Sequence, residues 1–312
     1  MLTELVTNDC DQLSGCLDAT EQQYRQLEPG LFRGRFRRID LPGVHVTEEF
    51  ISHRIAVQAV IPDSCVTLFV PIRVNDRITL EGQDCLQDEG YIGQPGASAF
   101  LSLPAGFRSL SVELEVSALL DTAAAMEVNL SETAAVSRLP ASRPTAAFRK
   151  ELVRAFVAMI RISASMSELS AQQWSDRILR SFVNVLRETS GRHQSVDRTT
   201  VLKRRAAALN VGDYVSNHLA DPLSLTRLCA VADTSERSLR NGFREVFGVS
   251  PNRFIKAQRL SAARFDLKRA SADAESVTNI ASRWGFAQLA HFATDYRAQF
   301  GERPSETLRT SF

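Results

Sequence analysis

Cysteine and histidine are the side chains with which a chain binds transition metals or runs redox chemistry, and here both are sparse and scattered. The five cysteines, Cys10, Cys16, Cys65, Cys85 and Cys229, form no C-x-x-C pair. Neither a zinc cluster nor a disulfide scaffold is indicated, and reduced thiols in a cytosol are expected. His45 and His53 stand eight residues apart without a His-x-His pair, whereas a metal-dependent oxygenase or isomerase needs His and carboxylate ligands converging on one site. No glycine-rich phosphate loop and no nucleophile elbow occurs. The residues therefore predict no enzyme, no cofactor and no metal. What remains is electrostatic. The formal charge of the 312 residues is +1, but 17 Lys and Arg face only 11 Asp and Glu from Thr200 to Phe312, leaving +6 there and −5 in the rest. A basic end beside an acidic one is compatible with phosphate binding, since each Lys or Arg that meets a phosphate releases condensed counterions.

The elements that must position such charges fall into two textures. At 44% hydrophobic and 23% charged residues the composition is that of an ordinary globular chain, and the length suits about two domains. From about 31 to 116, short apolar runs such as Cys65 to Ile72, Arg77 to Leu80 and Leu110 to Val116 alternate with turns such as Leu41-Pro42-Gly43 and Pro104-Ala105-Gly106. That pattern predicts a small sandwich or barrel. From about 117 to 190 the periodicity turns helical, with Phe148, Leu152, Ala155, Phe156 and Met159 on one face and Ile178, Phe182, Val185 and Leu186 on another. Core packing or a second subunit would cover these faces. The polar stretch from Ser190 to Arg198 reads as a linker. No apolar run approaches a membrane span, and the Met-Leu-Thr-Glu start has no signal-peptide pattern.

Beyond the linker the chain has clear helix stops and starts. Asp221-Pro222 ends one helix, Ser235 can N-cap another that Gly248 closes, and Ser250-Pro251 can open the next. Asp233 in the intervening turn tolerates a left-handed backbone. An apolar frame then recurs: Leu228, Leu239, Phe243, Phe247 and Gly248 reappear as Ile280, Phe292, Tyr296, Phe300 and Gly301, with Gly285-Phe286 in the second turn. Between them Pro251 to Arg269 predicts one helix, a rod of about 28 Å at 1.5 Å per residue. Two helix-turn-helix units in tandem are the reading.

The segments SERSLRNGFREVFGVSPNRFIKAQRL, Ser235 to Leu260, and RWGFAQLAHFATDYRAQFGERPSETL, Arg283 to Leu308, resemble the signature of the AraC/XylS family of transcription regulators. The resemblance covers about residues 204 to 309. Tyr24 to Gly30 with Phe32, and Gly93 to Val112, are weakly similar to the ethanolamine-utilisation regulators of that family. The resemblance implies that the second helix of each unit enters the major groove. Carried over by position, the base-facing residues are Arg237, Arg240 and Asn241 in the first unit. Arg suits guanine O6 and N7, and Asn suits adenine N6 and N7. In the second unit they are Leu289, Ala290, His291 and Thr294. Many relatives carry Arg at the position of His291 or Thr294, so this unit departs from the pattern and is expected to add affinity and register more than selectivity. Arg244, Arg253, Lys256, Arg283 and Arg297 are candidate phosphate contacts.

The resemblance further implies an α+β chain. A cupin-like β-barrel with flanking helices over 1–190 senses a small molecule and supports a homodimer, 191–203 is a linker, and an all-α tandem helix-turn-helix domain over 204–312 binds double-stranded DNA. The expected protein is a cytoplasmic, effector-responsive activator that reads two adjacent major grooves and presents a surface to RNA polymerase. A constitutive or repressing protein with a purely dimerising barrel is the alternative, and a cupin-type metalloenzyme is disfavoured by the two isolated histidines. Phe50, Phe69, Phe100 and Phe107 would line an effector cavity or fill the core; the effector itself is not legible.

Overall fold

The computed structural model describes residues 2–16, 21–130, 136–189, 194–195, 202–271 and 275–309. Its elements are β1 (Leu2–Thr7), α1 (Cys10–Ser14), β2 (Glu21–Gln26), β3 (Gly34–Leu41), β4 (Val44–Ile51), β5 (Ile55–Val60), β6 (Cys65–Arg73), β7 (Ile78–Leu80), β8 (Gln83–Cys85), β9 (Gly90–Gly93), β10 (Ser98–Leu103) and β11 (Phe107–Glu115). They continue with α2 (Val116–Ala125), β12 (Val136–Leu139), α3 (Arg143–Ile162), α4 (Glu168–Glu188), β13 (Gln194–Ser195), α5 (Lys203–Asn217), α6 (Leu225–Val231), α7 (Glu236–Val246), α8 (Pro251–Arg269), α9 (Val277–Arg283), α10 (Leu289–Phe300) and α11 (Pro304–Arg309).

The strands form two antiparallel ladders, ordered β1-β3-β4-β11-β6-β9-β12-β13 and β2-β5-β10-β7-β8. Alternation along each strand sends successive side chains to opposite faces. One face of the larger sheet carries Val44, Val46, Val66, Leu68, Leu110 and Val112, packed beneath α2, α3 and α4 through Phe148, Leu152, Phe156, Met159, Ile178 and Phe182. The helical faces read from the sequence thus cover this sheet. Its other face meets the smaller sheet across Tyr24, Phe36, Val57, Ile78, Leu80, Leu101 and Phe107.

Two expectations are corrected. Among the described residues the ladders share no strand pairing, so the body is an open two-sheet sandwich rather than a closed barrel. The β region also extends beyond 31–116, because β1 and β2 precede it and β12 follows it. Both early strands sit on sheet edges, where polar residues replace the apolar alternation that marks an interior strand. Of the linker, 190–193 and 196–201 lie outside the described residues; Gln194 and Ser195 pair with Arg138 and Ser137.

The C-terminal helices form two small cores strung on α8. Phe254, Ile255 and Ala257 of α8 join Leu209, Leu228, Leu239, Phe243 and Phe247. Its later residues Leu260, Ala263 and Leu267 join Ile280, Phe292, Tyr296 and Phe300. The α8 range agrees with the sequence reading, and Ser250 accepts from the Arg253 N–H with Pro251 in the first turn. Ser224, Ser235 and Ser276 cap α6, α7 and α9 in the same way, each worth about 1 kcal/mol. The helix expected to end at Asp221-Pro222 stops earlier, at Asn217, with His218 as its cap.

Candidate nucleic-acid interface

In the first unit α6 turns into α7 through Asp233, whose φ of 44° is left-handed. The Thr234 N–H donates to Cys229 O at 3.0 Å and locks the turn. Leu239, Gly242, Phe243 and Val246 bury one face of α7. The approach there is close: a Cβ at Gly242 would lie 2.0 Å from Arg204 O on α5. The opposite face presents Arg237, Arg240, Asn241 and Arg244, all exposed. Arg240 makes a loose ion pair of 3.5 Å with Glu236, one turn back.

The second unit repeats this with Gly285, φ 78°, in the turn and the Phe286 N–H donating to Ala281 O at 3.0 Å. Phe292, Tyr296, Gln299 and Phe300 are buried on α10, while Leu289, Ala290, His291, Thr294 and Arg297 are exposed. The Thr294 hydroxyl donates to Ala290 O at 3.0 Å. Gly248 and Gly301 close the two units with φ of 73° and 78°, so the repeated Phe-Gly is a repeated helix ending. Arg253 is exposed on α8. Lys256 is held by Asp295 at 2.9 Å, and Arg283 by Asp266 at 2.7 Å and by Glu275. Arg244, Arg253 and Arg297 thus stand more open than Lys256 and Arg283.

Residues 228–310 match the family model described as "Helix-turn-helix domain". Over 98 residues the chain is 43% identical to the "Probable thc operon regulatory protein" of Rhodococcus erythropolis, a match covering 31% of this chain and 30% of that protein. Over 115 residues it is 37% identical to the "XylDLEGF operon transcriptional activator" of Pseudomonas putida, covering 37% of this chain and 36% of that protein. These C-terminal helices are an AraC/XylS-type domain. The chain spans about a third of the length of the curated relatives it matches. A solved structure described as that of "a probable AraC family transcriptional regulator" from Rhodopseudomonas palustris is 37% identical over 34% of this chain and 96% of its own, with a TM-score of 0.32.

The sandwich grips both units of the AraC-type domain on surfaces away from Arg237, Arg240 and Asn241. On the first unit, Arg205 of α5 donates to Asp84 and Gly82 O, each at 3.1 Å, and to Glu245 at 3.0 Å. Burial pushes the Glu245 carboxyl up, but the guanidiniums of Arg204 and Arg205 outweigh it and hold it below its usual range. Thr79 donates to Val246 O at 2.8 Å, Phe100 lies edge-on to Phe247 at 5.3 Å, and Leu27 enters the first core. On the second unit, Gln26 Nε2 donates to Gln299 O at 3.1 Å and Gln299 Nε2 returns a bond to Gln26 O at 2.8 Å. The Gly30 N–H donates to Ala298 O at 2.9 Å. Arg264 bridges Asp9 at 3.2 Å and Glu302 at 2.9 Å with its guanidinium 4.6 Å over Phe300, and Lys268 reaches Asp9 and Asp11. The Tyr24-to-Gly30 segment noted in the sequence is therefore the end of β2 and a docking loop after it, joined to the helices through Gln26 and Gly30.

A cavity of about 90 Å³ lies between the two sheets. Gln22 and Tyr24, on the strand that ends in that loop, form part of its wall. Of the four phenylalanines considered from the sequence, Phe69 lines it, and Phe107 stacks behind Phe69 at 5.9 Å. Phe100 faces the helices instead, and Phe50 is half-buried outside the lining. Sequence reasoning missed the polar liners Gln22, Thr47, Glu49, Thr67 and Glu113. The available signal was a threonine and a carboxylate spaced by two, Thr47 and Glu49, which places both on one face of β4. His45 bonds Asp40 at 2.8 Å and His53 bonds Ser52 at 2.8 Å. No helix among the described residues is long and apolar enough to cross a membrane.

Proposed function

We propose that the protein is a sequence-specific DNA-binding transcription activator that responds to a small effector. The observation that carries this is the pair of helix-turn-helix units on one helix of 19 residues, with Arg237, Arg240 and Asn241 exposed on the second helix of the first unit. A rod of about 28 Å suits two recognition helices entering successive major grooves, about 34 Å apart on one side of a duplex. Arg237, Arg240 and Asn241 then read base edges, and Leu289, His291 and Thr294 supply register with less selectivity. Arg244, Arg253 and Arg297 hold phosphates directly; Lys256 and Arg283 do so on exchanging their carboxylate partners. Residues 1–190 form the sensing and dimerising part, 191–203 the linker and 204–312 the DNA-binding part, acting on cytoplasmic promoters beside RNA polymerase. Effector response is supported by β2, which lines the cavity through Tyr24 and docks on α10 through Gln26.

Sites enriched from random duplexes by the full chain provide the test. Arg240→Ala should cost about 1–3 kcal/mol of specific binding and relax preference at one base pair. Specific and non-specific affinities that both stay at wild-type values would refute the placement of the first recognition helix.

A further inference from the structure

We infer that the cavity between the sheets binds a small cationic amine, with Glu49 as the carboxylate that receives its ammonium group. This assignment rests on the sensor reading above and names the ligand class. Glu48 and Glu49 are neighbours on β4 pointing to opposite faces, and the fold treats their charges differently. Glu48 is ringed by Arg35 at 3.5 Å, by Arg37 through Nε at 2.7 Å and by Arg108 through Nε at 2.6 Å. Glu49 points into the cavity and receives one hydrogen bond, from the Tyr24 hydroxyl at 3.0 Å. Among the described residues no Lys, Arg or His lines the space.

The remaining polar wall is rich in acceptors. Thr47 is buried, and among the described residues its Oγ1 has no partner; the buried Thr67 Oγ1 and Gln22 Oε1 are likewise unpartnered there. Buried polar atoms are satisfied in folded proteins with few exceptions, and unpaired ones lining a cavity call for a hydrogen-bonding group that fills it: Gln22 Oε1 needs a donor, and the two hydroxyls can accept from one. Glu113 lines the same wall and is already held by Arg38 at 3.0 Å, which leaves Glu49 as the lining carboxylate without a cation among the described residues. Burial pushes the Glu49 carboxyl up to about 7, and an ammonium beside it reverses that by favouring the charged form. The opposite wall, Val57, Ala59, Leu80, Ala99, Leu101 and Leu103, is apolar. The ligand class is therefore a compact hydrocarbon body carrying a donor-rich cationic head. At about 90 Å³ the space is below the roughly 150 Å³ of a cavity that admits benzene, room for a ligand of a few heavy atoms.

Isosteric probes on the full-length chain separate the possibilities: isobutylamine, isobutyrate and isobutanol, by titration calorimetry and thermal shift. Isobutylamine should bind at least tenfold more tightly than either isostere. Glu49→Gln, which preserves shape and the Tyr24 contact, should remove at least tenfold of that affinity, with an unchanged circular dichroism spectrum. Leu101→Trp, which fills the cavity, should abolish binding while Arg240-dependent DNA binding persists. Amine binding that Glu49→Gln leaves intact, or an absence of amine binding, overturns the assignment. Isobutyrate or isobutanol bound as tightly as the amine, in a manner sensitive to Leu101→Trp, would sink the cationic class and leave the cavity a sensor. If no probe binds and Leu101→Trp changes nothing in DNA affinity or activation, the sensor reading falls as well.

Discussion

Asp9 offers a sharp test of whether the sandwich and the second helix-turn-helix unit are one body. Its Oδ1 accepts from Arg264 at 3.2 Å, and its other oxygen meets Lys268. The pair is little exposed, at 8% for the Arg264 side chain and 11% for that of Asp9, so salt screens it weakly. Removing one partner of a buried pair costs about 3–5 kcal/mol when the other charge is left alone. Here Arg264 keeps Glu302 at 2.9 Å and the face of Phe300, and Lys268 keeps Asp11 at 3.1 Å. The expected loss for Asp9→Asn is accordingly smaller, about 2 kcal/mol. Asparagine is the right replacement because Asp9 also caps α1 by accepting from the Asp11 N–H at 3.0 Å, a role Asn fills equally well. Denaturant unfolding can be followed separately in the two parts, through Trp174 on α4 and Trp284, which donates to Asp266 at 2.9 Å. A double-mutant cycle of Asp9→Asn with Arg264→Met should give a coupling of about 1–2 kcal/mol. The transitions at Trp174 and Trp284, coincident in the parent, should separate in Asp9→Asn. A coupling indistinguishable from zero, with both transitions unmoved, would show that this contact does not join the two parts.

Gly242→Ala sets two effects against each other. Helix propensity favours alanine by about 1 kcal/mol, but a Cβ 2.0 Å from Arg204 O forces α7 off α5, so a net destabilisation of about 1–3 kcal/mol with weakened DNA binding is expected in thermal denaturation and gel shift. Glu49 gives a pH signature: burial raises its carboxyl from 4.5 to about 7 in the folded chain, so the unfolded chain sheds that proton first as pH rises. Its contribution to stability falls between those values and is flat above them, by up to about 3 kcal/mol; urea titrations of the parent against Glu49→Gln should diverge across that window and nowhere else. Arg253→Ala and Arg297→Ala should each weaken binding to all duplexes alike and lower the salt slope by about 1. A base-specific effect from either would move that residue from phosphate to base contact.

Much of the C-terminal architecture was written locally. Ser235 and Ser250 cap the helices assigned to them, Gly248 and Gly301 take the left-handed backbone that ends each unit, and all the apolar residues of the repeated frame are buried. These features are legible because capping, glycine conformation and helical periodicity act over a few residues. The edge strands β1 and β2 were not legible, since β1 is largely exposed, β2 lies partly against polar atoms of the C-terminal helices, and the apolar alternation thins in both. Nor was the openness of the sandwich, because strand pairing across a sheet edge leaves no local mark. The sequence by itself determined two basic helical units on one rod and the helix face carrying Arg237, Arg240 and Asn241. The tertiary structure alone decided that Asp9 meets Arg264, that Gln26 exchanges bonds with Gln299, and that Glu49 faces a cavity while Glu48 is ringed by arginines. The first two pairs are more than 250 residues apart, and the fate of Glu49 depends on which strands pack over it. Burial and long-range pairing are properties of the assembled chain, and a carboxylate in a strand reads the same whether its partner is an arginine, a ligand or water.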